Sequence, residues 1–205
     1  MPQATHGRLP GSNPCMRHHF SARQWLPFPL PTVFAFFANP QNLPPLMPAW
    51  QHARVEELHL VAPPPPPPGS PTRFGTGVGT TMVLSFRALP LLHVRLRWLA
   101  LIPEFVWNDH FCDTQTAGPF RSWRHCHSVA EAARDGVAGT LVTDQVEYEL
   151  PLGRLGDLAN LLGGRLQMRY IFGYRHRQTA RLLPAFADKL VQAAGRSTSN
   201  PLGDT

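Results

Sequence analysis

The chain has 205 residues, 43% hydrophobic and 16% charged, with 12 Phe and 5 Trp, which suits one folded domain with a buried core and excludes a disordered chain despite 23 Pro. The net charge of +6 invites a nucleic-acid reading, but of the 19 basic residues only Lys189 is a lysine and the arginines are scattered, so no nucleic-acid partner is expected. No apolar run approaches the roughly 20 residues that span a bilayer, so no transmembrane segment is expected.

Residues 1–15 have no apolar core of a secretory signal; their Gly, Pro, Ser and Asn predict a disordered leader, with Met16 a candidate start. Cys15, Cys112 and Cys126 form no metal-type C-x-x-C pair, and an odd number suits a reduced, cytoplasmic setting. Residues 17–26 read as a first strand ended by Pro27 and Pro29. Residues 31–38 read as a short helix that tolerates Pro31 in its first turn, and 41–46 as a further helical turn. Residues 50–61 read as a second strand, and the run Pro63 to Pro68 as a rigid surface loop that cannot join a ladder. Thr76-Gly77-Val78-Gly79 precedes a strand, so it is no dinucleotide loop but a flexible hairpin.

An antiparallel meander follows, with strands expected over 80–87, 94–102, 105–114, 120–131 and 139–150, separated by Pro or Gly signals. Alternation gives inward sets of Met82, Leu84 and Phe86, then Val94, Leu96 and Trp98, then Phe105, Trp107, Phe111 and Asp113. Trp123, His125, His127 and Val129 share a face, as do Val142, Asp144, Val146 and Tyr148. A face of Trp, His, His and Asp among valines suits the wall of an apolar but chemically marked cavity; by the same count Cys112 and Cys126 face away from it. From Arg154 the period becomes helical: a turn or two meets Gly163-Gly164, and a long helix is expected from 165 to about 194. Met168, Ile171, Phe172, Leu182, Leu183, Phe186 and Leu190 form its apolar stripe, with Arg175 in mid-stripe and His176 off it. Pro184 is expected to kink or end that helix, and 195–205 to be a disordered tail.

On these residues the chain resembles the START-like SRPBCC superfamily, which includes coenzyme Q-binding proteins, polyketide cyclases and plant allergen-type carriers. It looks closest to a bacterial branch of uncharacterised ligand-binding members. The segments that carry the resemblance are 20–25, Val33-Phe34-Ala35-Phe36-Phe37 with Asn42-Leu43-Pro44, Phe111 to Gln115, Gly118 to His127, Gly139 to Tyr148 and Ile171 to Arg175. The resemblance covers about residues 16–190, and 16–194 is expected to be one domain. The resemblance implies an α+β helix-grip fold: a curved antiparallel sheet of six to seven strands around a long C-terminal helix, with two short helices after the first strand. It implies no particular reaction, because one fold hosts many functions.

The ligand-binding set expected is Leu84, Trp98, Trp107, Phe111, Asp113, Trp123, His125, His127, Asp144, Tyr148, Phe172 and Arg175. The leading reading is binding or carriage of a hydrophobic small molecule, such as a lipid, quinone or polyketide, with no cofactor and no catalytic residue assigned. Buried charges need partners, so the polar members also suit an ionic network tying helix to sheet, such as Arg175 with Asp113 or Asp144. Two further readings stay open: a His–Asp general base of a cyclase or dehydratase using His125 or His127 with Asp144 or Asp113, and a metal held by His125-x-His127. An interaction module with a filled interior is the remaining alternative.

Overall fold

The computed structural model describes residues 16–68, 70, 75–89 and 94–198, with side chains up to 193. Seven antiparallel strands form one sheet in the order β1-β7-β6-β5-β4-β3-β2. They are β1 (His18–Leu26), β2 (Arg54–His59), β3 (Thr81–Arg87), β4 (Arg95–Val106), β5 (His110–Ala117), β6 (Ser122–Arg134) and β7 (Val137–Glu149). Strands β1 and β2 lie at opposite edges, and the crossing between them holds α1 (Leu30–Phe37) and α2 (Leu43–Leu46). The remainder is helical: α3 (Arg154–Ala159), a π turn over Asn160–Gly164, and α4 (Arg165–Thr198). This is the helix-grip arrangement, in which the sheet closes around the long helix.

The longest pairing is β6 with β7, joined at Asp135 (φ 52°) and Gly136 (φ 78°). Positive φ at both central residues gives a two-residue hairpin turn whose twist matches the strands, and Asp-Gly is one of the pairs that favour it. Its register sets Trp123 opposite Tyr148, His125 opposite Val146, His127 opposite Asp144 and Val129 opposite Val142. The two faces inferred from alternation therefore form one wall.

Several expected boundaries shift. Separate strands were expected over 94–102 and 105–114, yet β4 runs through Pro103 to Val106. The register with β5 slips between Leu101 and Glu104, so Pro103 sits where the ladder does not require its missing N–H. The chain turns instead at Trp107-Asn108-Asp109, with Asn108 at φ 58°, a conformation short polar side chains tolerate. Trp107, in this turn, packs on the core through Phe34 and Phe105 as an inward residue should, but away from the cavity, and its indole N–H donates to Pro64 O at 2.7 Å, pinning the proline run. Val94 is exposed rather than inward, and β2 is shorter than expected because Ala49–Gln51 forms a 3₁₀ turn.

Helix α1 buries Val33, Phe34, Ala35 and Phe36. It stops where Asn42 Nδ2 donates to the free Phe36 carbonyl at 2.8 Å. Pro184 neither ends nor divides α4, which continues to Thr198, past the expected end at 194. Pro184 and Ala180 both face solvent, so water can satisfy the carbonyl that the proline releases. Phe186 meets Phe36 edge-on at 5.3 Å, and Phe172 packs on Phe20 at 4.8 Å, fastening α4 to α1 and to the sheet.

Cys112 and Cys126 lie directly opposite one another on β5 and β6, 4.1 Å apart at Cα, and form a disulfide on the face away from the helix. The odd cysteine count concealed this pair, and with it goes the ground for expecting a reduced setting. Among the described residues no helix is long and apolar enough to cross a membrane.

Candidate functional site

Between sheet, short helices and α4 lies a cavity of about 540 Å³. Two packed clusters bound it. One gathers α1, Leu26, Phe105, Phe111, Val142 and Leu183; the other gathers Val146, Tyr148, Met168 and Phe172. Of the residues expected in the site, Leu84, Trp98, Phe111, Asp113, Trp123, His125, His127, Tyr148, Phe172 and Arg175 line the cavity. Trp107 does not, for the reason given above. Asp144 does not either; it is 2% exposed and sits behind the two histidines.

Asp144 is the hub of a buried polar network. Its Oδ1 lies 3.1 Å from His125 Nε2 and 2.6 Å from His127 Nδ1, the latter contact close but poorly aligned for a hydrogen bond. The other nitrogen of His125, Nδ1, lies 3.3 Å from Asp113 Oδ1. Asp113 Oδ2 in turn accepts from the indole N–H of Trp123 at 3.1 Å. An imidazole held at both ends by carboxylates is stabilised as the cation. Burial pushes the His125 pKa down, but the hydrogen bonds and charges of Asp113 and Asp144 outweigh it and leave it raised. Burial pushes Asp113 up, against the hydrogen bond and charge of His125, and the net value is lowered. Asp144 is likewise held well below the usual carboxylate range, against its burial, by His127 and His125.

His127 goes the other way, to about 4, because burial is reinforced by the charges of His125 and Arg175 and only partly opposed by Asp144. It is neutral at ordinary pH. With its proton on Nδ1 toward Asp144, Nε2 is left to accept from Arg175 Nη2 at 3.3 Å. The expected pairing of Arg175 with an aspartate is therefore replaced by a link to His127. The guanidinium carbon also stands 5.6 Å over the Phe37 ring, which itself stacks on His127 at 5.7 Å.

The geometry argues against the two histidines as proton acceptors from a bound molecule, since each ring nitrogen already faces a neighbour. The ligand atoms of Asp113, His125 and His127 come within 4.8 Å of one another and could gather about a metal ion. Arg175 beside His127 sets a positive charge against that use. Two donors stand free instead: Trp98 Nε1 and Arg175 Nε are buried without a partner, and both residues line the cavity.

Some site residues escaped the sequence reading. His176 was placed off the stripe, yet it follows Phe172 by four residues and brings Nε2 to 3.9 Å from Asp144 Oδ2. Asn160, the lone amide in a leucine-rich stretch, accepts from Tyr148 Oη at 2.7 Å and fixes the π turn to β7. Phe37 had a signal too, as the last aromatic of α1, on the turn facing the sheet. Gly118-Pro119 is more than a turn: Pro119 and Phe120 line the cavity, with Gln115 Nε2 donating to Phe120 O at 2.7 Å.

No family model matches the chain, and no curated protein matches it in sequence. In structure it is similar to norcoclaurine synthase from Thalictrum flavum, with 12% identity, a TM-score of 0.55, and coverage of 89% of this chain and 98% of that one. It is also similar to protein CV1439 from Chromobacterium violaceum, with 14% identity, a TM-score of 0.53 and coverage of 80% and 96%. Protein Ms6760 from Mycobacterium smegmatis matches at 15% identity, a TM-score of 0.52, and coverage of 82% and 91%. At such identities the likeness concerns the fold alone.

Proposed function

We propose that the protein binds and carries a hydrophobic small molecule in the cavity between sheet and α4, in the manner of a lipid, quinone or polyketide carrier of the SRPBCC type. The observation that carries this reading is a roomy interior of about 540 Å³ with mostly aromatic and aliphatic walls and a charged cluster of Asp113, His125, His127 and Arg175 on them. A site built this way takes an apolar body and orients it by one polar end. The unpartnered N–H groups of Trp98 and Arg175 favour an acceptor on the ligand, such as a carbonyl or ether oxygen.

Native mass spectrometry of the purified protein tests this. The expected result is a bound apolar molecule that denaturing extraction releases. Leu84→Trp, which fills the cavity from β3, should lose that mass while keeping the far-UV spectrum of the parent. An unchanged bound mass in the filled variant overturns the reading. The cyclase-type alternative finds less support, because each ring nitrogen of the histidines it needs already faces a protein neighbour. An interior packed solid is at odds with the cavity volume.

A further inference from the structure

The helix that closes the cavity has a second face. Leu152, Leu155, Leu158, Leu161, Leu162 and Leu166 are all more than half exposed, and Tyr170 extends the row. Single exposed leucines need no explanation, but a run of them from the turn before α3 to the start of α4 marks a contact surface. The row lies back to back with the cavity: Ala159, Asn160, Gly163 and Gly164 of the same segment line the interior. It therefore sits at the rim of the site.

Two observations say what covers it. Arg154, Arg165 and Arg169 are exposed on the same stretch, and its one acidic residue, Asp157, is turned toward His18 at 3.1 Å. Leucines bordered by arginines without exposed acids are complementary to an apolar layer beneath anionic headgroups. A second copy fits worse, since a two-fold contact would crowd both sets of arginines around one seam with no acids between them. The rim also has the means to yield. A Cβ at Gly163 would meet nothing within 4 Å, so no packing demands glycine there, and two adjacent glycines in a π turn weaken the helix locally.

We infer that the leucine face of α3, the π turn and the start of α4 docks on an anionic lipid bilayer, setting the cavity rim against the membrane. Docking stands on this face alone; its use in loading or unloading an apolar molecule rests on the carrier reading above. The leucines enter the boundary of the acyl chains, and the arginines stay with the phosphates.

Flotation with vesicles of phosphatidylcholine, with and without phosphatidylserine, tests it. The expected result is binding to the mixed vesicles that weakens in high salt. Leu158→Glu/Leu162→Glu should reduce binding by more than about tenfold, and Arg165→Glu by about fivefold. These side chains face solvent, so the variants should keep the parent's unfolding midpoint and its bound apolar molecule. No flotation by the parent, or equal flotation by the leucine variant, overturns the inference. So does a parent dimer in sedimentation that the leucine variant breaks while lipid binding is absent, which assigns the face to a second copy. A protein that floats but carries no bound molecule upholds docking and defeats the carrier reading alone.

Discussion

Asp144 faces three imidazoles from a position almost wholly removed from water. Replacing it by asparagine leaves the buried His125 cation with one carboxylate instead of two, and breaking such a pair costs about 3–5 kcal/mol. Urea unfolding of Asp144→Asn should show a loss of that size, far beyond that of an exposed pair such as Arg97 with Glu57. The network also dictates a pH profile. Asp113 and Asp144 have lowered folded values, so their contribution is present above the unfolded carboxylate range and is lost as pH falls through the folded values. His127 is lowered from 6.5 to about 4, so across that window the unfolded chain takes up a proton that the folded chain refuses, and stability declines with acid. His125 is raised, so its contribution is complete below 6.5 and is lost as pH rises through its folded value. The unfolding midpoint should peak near pH 6.5. His127→Gln should flatten the acid limb between 6.5 and about 4, and His125→Gln the alkaline limb; limbs unchanged in both variants would refute this assignment.

Among the elements, the π turn has the weakest support, being held to the sheet chiefly through Tyr148 Oη and Asn160 Oδ1. Tyr148→Phe should cost about 1 kcal/mol overall, while amide exchange over 154–166 accelerates more than exchange in β6 or β7. Equal protection in parent and variant would show that other contacts hold the segment. What the sequence disclosed about these elements follows from which signals are local. Period two along β6 and β7 placed Trp123, His125, His127 and Asp144 on one wall, because that rule depends on neighbouring residues only. Pro103 misled, since a proline reads as a break until a bulge in its own strand absorbs it. The cysteine pair was hidden because opposition across two strands depends on register, and His176 because one turn of helical phase decides whether a side chain meets the sheet. The partners of Arg175 depend on tautomers and charges that no spacing encodes.

For the molecule as a whole, the disulfide closes a 14-residue separation across β5 and β6, and its removal should lower stability by about 3 kcal/mol in the chain-entropy account. Comparing urea midpoints with and without reductant, and against Cys112→Ser/Cys126→Ser, checks the figure. Finally, Asp113, Asp144, His125 and Arg175 bring two carboxylates, one imidazolium and one guanidinium together beside the uncharged His127. The polar end of the hollow thus mixes both signs of charge rather than presenting one. A guest bearing an ionised amine would meet carboxylates already engaged by His125, whereas the oxygen of a ketone, ester or quinone could accept from the free N–H groups of Arg175 and Trp98.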